Sequence, residues 1–118
     1  MEAACRGAKS AGGTTVGLLP GSDRDAANEW VDIAIPTGLG EVRNALIVSA
    51  ADAVIAVGGE YGTLSEIAFA LRANKPVVGL GTWSLIRPNG EADTGIVPAG
   101  TPEDAAEVAV GLAAGRYG

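Results

Sequence analysis

The spacing of apolar residues along the chain changes period repeatedly. Val31, Ile33 and Ile35 alternate with Asp32 and Ala34. A period of two predicts a strand over 31–35 with one covered and one partly exposed face. Leu64, Ile67, Ala68 and Leu71 fall at i, i+3, i+4 and i+7, which predicts a helix over 63–73. Val54-Ile55-Ala56-Val57 is unbroken apolar sequence and predicts a strand buried on both faces. A second such run, Val77-Val78-Gly79-Leu80, follows Pro76.

The remaining elements follow from punctuation. Residues 2–11 are alanine-rich and stop at Gly12-Gly13, so a helix is predicted there, with Cys5 as a small buried apolar residue. Residues 14–19 form a short strand closed by Pro20-Gly21, and a polar loop follows. Residues 41–51 form a helix with Val42, Ala45, Leu46 and Ala50 on one side. Residues 82–93 are irregular, and Ile96-Val97 forms a last short strand. Thr101-Pro102-Glu103-Asp104 opens a final helix, with proline and acids in its first turn and a stripe of Ala105, Val108, Ala109 and Leu112. Alternating strands and helices imply an α/β parallel sheet. The 118 residues suit one domain.

Composition narrows the chemistry. Eight basic against 14 acidic residues give a net charge of −6, and no basic stripe exists to follow a nucleic-acid backbone. Histidine is absent and Cys5 is the one cysteine. Histidine-based triads, zinc sites and internal disulfides are therefore excluded, and no metal site is expected. A reducing cytoplasm fits. The apolar runs are too short to span a membrane. Lys75 precedes Pro76 at a strand start, the wrong edge of the sheet for a Schiff-base lysine.

Three glycine-bearing turns fall after predicted strands, where open parallel sheets bind ligands. They are Pro20-Gly21, Thr37-Gly38-Leu39-Gly40 and Gly58-Gly59-Glu60-Tyr61-Gly62. The last joins a strand directly to a helix, so its N–H groups and the helix dipole suit a phosphate. It is neither a Walker A loop nor G-x-G-x-x-G. A tight turn without ligand would need the same glycines. Thr63-x-x-Glu66 reads as a capping box, or Glu66 is a carboxylate beside a phosphate site. Arg43 opposes the dipole of a first helical turn and matches an anion bidentately; the alternative is a solvated surface arginine. Asn44 either bonds a base or sugar or decorates its helix. Trp30 and Trp83 read as packing anchors.

Residues 58–66 resemble the P-G-G-x-G-T-x-x-E signature of the LONELY GUY (LOG) superfamily. Thr37-Gly38-Leu39-Gly40-Glu41-Val42-Arg43-Asn44, with Ala56-Val57-Gly58-Gly59, is closer still to its molybdenum-cofactor-carrier-like branch. The resemblance implies a three-layer Rossmann-like sheet of about four to five parallel strands with helices on both faces, and a homo-oligomer. It also implies a small-molecule phosphate ligand: a nucleoside monophosphate, or a phosphorylated pterin such as the molybdenum cofactor. The phosphate- and nucleotide-binding positions are then Gly58, Gly59, Gly62, Thr63, Thr37, Gly38 and Asn44. The carrier branch binds its cofactor without turnover and requires no further cofactor.

LOG enzymes instead hydrolyse the N-glycosidic bond of cytokinin nucleoside 5′-monophosphates through an arginine and a glutamate, positions held here by Arg43 and Glu66. Val57 stands where those enzymes carry proline, and Asn44 where they carry lysine; both turn the reading towards the carriers. Members of the family open with two strands and a glycine-rich loop ahead of the helix matched by residues 1–11, and these are expected to be missing here. Three functions remain open: a carrier-like binder, a phosphoribohydrolase, or a structural remnant. A lysine decarboxylase is excluded.

Overall fold

The computed structural model describes residues 1–115. Its order is α1 (Glu2–Ser10), β1 (Val16–Leu19), β2 (Ile33–Pro36), α2 (Arg43–Ala50), β3 (Val54–Val57), α3 (Tyr61–Arg72), β4 (Val77–Leu80), β5 (Ile96–Pro98) and α4 (Pro102–Gly115). Strands and helices therefore alternate as predicted. The five strands do not form one sheet: β1 pairs with β2, and β3, β4 and β5 form a second sheet in that order, all parallel. Hydrophobic period marks a strand but leaves its ladder partner undetermined. The chain divides into two compact units, Met1–Leu46 and Ile47–Gly118.

In the first unit α1 ends as its glycines require. Gly12 takes φ +79°, its N–H donates to Lys9 O at 3.1 Å, and Gly13 N–H donates to Ala8 O at 2.8 Å, the paired bonds of a Schellman motif. No residue of α1 is buried, and Cys5 is only half-buried, contrary to the expectation of a buried thiol. Ile33 and Ile35 are exposed, whereas Ala34 and Pro36 are half-buried. The predicted alternation is present with its faces reversed, because burial follows what packs on a face and not the size of its residues.

A hydrogen-bond network joins the start of this strand pair. The Thr15 hydroxyl donates to Trp30 O at 2.6 Å and accepts from Asp32 N–H at 2.8 Å. The Asp32 carboxylate accepts from Thr15 N–H at 2.9 Å and pairs with Lys9 Nζ at 2.9 Å. The Thr15 amide, more than Lys9, holds the Asp32 carboxyl below its ordinary range.

The second unit is three-layered. Val54, Ala56 and Val77 on one sheet face pack with Val48, Ile67 and Ala70. Val78 on the other packs with Ala105 and Ala109 of α4. Central β4 is covered on both faces; β3 is not, since Ile55 and Val57 stay exposed where both faces were expected to be buried. Two helix faces also depart from expectation. In α2 Asn44 and Val48 are buried while Leu46, and Val42 in the turn before it, are exposed. In α3 Ile67 and Ala70 are buried while Ala68 is exposed. α4 keeps its predicted start, with Thr101 Oγ1 accepting the Asp104 N–H at 3.1 Å, and buries Ala105 and Ala109 of its stripe.

Lys75 acquires a structural role. Its Nζ donates to the carbonyls of Val48, Ser49 and Ala51, each at 2.8 Å. One ammonium thereby takes up carbonyl groups at the end of α2, where the helix dipole is negative.

Candidate functional site

The carboxyl ends of β1 and β2 carry the turns 20–21 and 37–40. Hydrogen bonds lace these together. Thr37 N–H and its hydroxyl both donate to Leu19 O, at 3.1 and 2.6 Å. Gly38 N–H donates to Gly21 O at 2.9 Å, and Gly40 N–H to Pro20 O at 2.9 Å. Gly38 has φ +67°, and a Cβ there would stand 3.1 Å from Ser22 Oγ. Thr37 and Gly38 thus shape the turn.

Arg43 begins α2 after a 3-10 turn, Gly40–Val42. It is half-buried and not a solvated surface arginine. Nη1 donates to Leu18 O at 3.0 Å, while Nε is buried with no hydrogen-bond partner among the described residues. Asn44 is buried, and its amide donates to the Glu41 carboxylate at 3.3 Å.

In the second unit the loop 58–60 joins β3 to α3. Gly58 takes φ +82°, a left-handed value that favours glycine. A Cβ at Gly58 or Gly59 would meet nothing within 4 Å, so the backbone faces open space and a ligand can approach it closely. Glu60 is the N-cap of α3 and makes no side-chain capping bond. Thr63 is therefore the third helical residue, and the expected Thr63–Glu66 capping box does not form. The helix starts two residues earlier than its apolar stripe suggests, because Tyr61 and Gly62 lie outside that stripe yet adopt helical backbone. The first intrahelical bond runs from Leu64 N–H to Glu60 O at 3.1 Å, so the Tyr61 and Thr63 N–H groups precede it at the positive end of the dipole.

The turn after β4 braces this loop. Thr82 Oγ1 donates to Gly58 O at 2.6 Å, and Trp83 Nε1 donates to Glu60 O at 3.1 Å. The Trp83 and Tyr61 rings lie 5.8 Å apart, tilted by 31°. Trp83 also packs against the apolar cluster, as expected of an anchor. Beyond it a cavity of about 460 Å³ opens, lined by Gly79, Thr82, Trp83, Ser84, Asp93 and Ile96 among others. One wall is built from residues 85–93. Ile86 and Ala92 bridge antiparallel, and Gly90 turns between them with φ +89°. The stretch holds no helix or strand, as expected, but the cavity it walls was not foreseen from the sequence. The signal was present in Gly81-Thr82-Trp83, a glycine-bearing turn that follows buried β4 as residues 58–62 follow β3.

Residues 1–112 match the SLOG cluster4 family. The chain belongs to this family. An uncharacterized protein of Archaeoglobus fulgidus is 51% identical over 80 residues, which cover 68% of this chain and 52% of that protein. The chain thus matches about half the length of that relative. Among solved structures, the molybdenum cofactor binding protein of Rippkaea orientalis is 36% identical, with a TM-score of 0.77 over 92% of this chain and 68% of that one. The Moco carrier protein of Chlamydomonas reinhardtii is 39% identical, with a TM-score of 0.78 over 98% and 71%. The SLOG cluster4 chain thus shares the Rossmann-like α/β fold of these carriers. Among its described residues no helix is long and apolar enough to cross a membrane, and no group of three or more acidic or cysteine side chains could hold a metal.

Proposed function

We propose that this SLOG cluster4 protein is a carrier-like binder of a phosphorylated small molecule, a phosphorylated pterin or a nucleoside monophosphate, held without turnover. The observation that carries this reading is the open loop 58–60 running into the 12-residue helix α3. Two of the loop's carbonyls, at Gly58 and Glu60, are engaged by Thr82 and Trp83. The Gly58 N–H donates to Leu80 O at 3.4 Å, so the N–H groups of Gly59, Tyr61 and Thr63 and the helix dipole are what meets an anion, the combination that favours phosphate. Gly58, Gly59, Gly62 and Thr63 form the phosphate cradle. Thr37 and Gly38 shape the companion turn, and Asn44 anchors α2. The similarity to a molybdenum cofactor binding protein and to a Moco carrier protein supports the same ligand class. Homo-oligomerisation and a cytoplasmic location belong to this reading.

The test is thermal stability against ribose 5-phosphate, GMP and neopterin monophosphate. A ligand that binds only the folded chain stabilises it by about 2.7 kcal/mol at a hundredfold excess over Kd. The expected shift is lost in Thr63→Ala. No shift with any of the three overturns the reading in favour of a structural remnant.

A phosphoribohydrolase is the second reading, in which Glu66, in the early turns of α3, is the carboxylate beside the phosphate loop. Arg43, with its buried Nε, would hold an anion or leaving group. Release of free base from nucleoside monophosphates, abolished by Glu66→Ala, would establish it.

A further inference from the structure

The cavity beyond Trp83 has no part in phosphate binding as described. Its volume of about 460 Å³ lies within the ~300–1,000 Å³ typical of small-molecule sites. Glycine is needed at its floor: a Cβ on Gly79 would stand 2.8 Å from both Ile96 Cγ2 and Thr82 Cγ2. Any side chain there would displace the cavity's own lining. Its polar wall holds one carboxylate, Asp93. Oδ1 accepts the Gly95 N–H at 2.8 Å, and Oδ2 stands 3.5 Å from the Nη2 of exposed Arg87. The Asp93 side chain is only 19% exposed. Gly95 is equally constrained, since a Cβ would lie 2.5 Å from Leu71 Cδ2. The bend that aims Asp93 is therefore built into the packing.

A sheltered carboxylate is an acceptor-only group that takes two parallel N–H donors. A flat heterocycle with an N–H beside an exocyclic amine presents such an edge, and Trp83 supplies an aromatic wall for its ring. We infer that this cavity is the heterocycle subsite and that Asp93 receives the 2-amino-4-oxopyrimidine edge shared by guanine and pterins. The inference rests on the phosphate reading for its geometry. Thr82 and Trp83 line the cavity and also bond the loop at Gly58 and Glu60, so one ligand spans both.

The experiment uses compounds without phosphate, so the two readings fail separately. Calorimetry on the 118-residue chain measures Kd for guanosine, neopterin, inosine and, independently, ribose 5-phosphate. Guanosine or neopterin binds, and inosine, which lacks the 2-amino group, binds about tenfold more weakly than guanosine because an acceptor is left unmet. Tighter binding of neopterin than of guanosine assigns the pterin; the reverse assigns the purine. Asp93→Asn keeps the Oδ1 acceptor for Gly95 but adds a donor, and raises Kd for guanosine or neopterin about tenfold while leaving ribose 5-phosphate unchanged. Equal affinity for guanosine and inosine overturns the assignment, as does binding untouched by Asp93→Asn or no binding of guanosine or neopterin. Loss of ribose 5-phosphate binding alone refutes the phosphate loop and leaves this subsite standing. If the variant fails to fold, the guanosine–inosine comparison on the unaltered chain decides.

Discussion

The two units are held together by different physics. Every buried hydrophobic side chain, from Val48 to Ala109, lies in Ile47–Gly118, whereas the buried residues of Met1–Leu46 are the polar Thr15 and Asn44. The second unit is a layered apolar core around β4. The first is a strand pair tied by Thr15, Trp30, Asp32 and Lys9, with Val16, Ile33 and Ile35 exposed. Apolar burial contributes roughly 25 cal/mol per Å², whereas a typical hydrogen bond contributes a net ~1 kcal/mol. The shared parallel α/β pattern therefore covers two different kinds of stabilisation, and hydrogen exchange should find the second unit better protected than the first. The open loop 58–60 and the cavity are both built on the rigid unit, where a site can be held in place.

Substitutions can break this contrast, and the largest effect is expected at Ile67. The side chain is fully buried in the second unit's core, so Ile67→Ala costs about 2–5 kcal/mol. Hydrogen exchange would reveal it as lost protection in β3 and β4; equal loss in β1 would mean that the units unfold as one. Gly95→Ala comes next, at about 1–3 kcal/mol from overpacking against Leu71. Chemical denaturation measures it, and a neutral result would show that Leu71 can yield. Lys75→Met keeps the apolar stem but leaves the carbonyls of Val48, Ser49 and Ala51 without the ammonium, lowering stability by about 1–2 kcal/mol.

The smallest effect belongs to the exposed network of the first unit. Asp32 has a lowered pKa in the fold, so its ionised form is favoured there. Its contribution is complete above the ordinary carboxylate value of about 4 and is lost as pH falls through the lower folded value. Asp32→Asn should flatten the acid dependence of exchange in β1 and β2 and leave β4 unchanged. An unaltered profile would mean that Thr15 and Trp30 suffice to hold the strand pair.

Much of this was legible in the residues. The strands at 54–57 and 77–80 announce themselves by unbroken apolar runs, and Thr101-Pro102 marks the start of α4, because these signals act within a few residues. Gly58 and Gly59 mark the candidate phosphate loop for the same reason: a strand that turns straight into a helix needs backbone freedom at that point. The end of α3 nearest the site was harder. Tyr61 and Gly62 carry no apolar period, so nothing local revealed that the helix begins at Tyr61 and that Thr63 cannot cap it.

The sequence by itself determined the order of strands and helices, the glycine turns and the family, since periodicity, capping and motif spacing are properties of neighbouring residues. Only the tertiary structure decided that five strands pair as two and three, and that Ile33 and Ile35 face outward. It alone joined Lys75 to the end of α2 and set Asp93 in one cavity with Trp83. Ladder partners, buried faces and long-range hydrogen bonds depend on which surfaces meet in space, and no local pattern encodes that meeting.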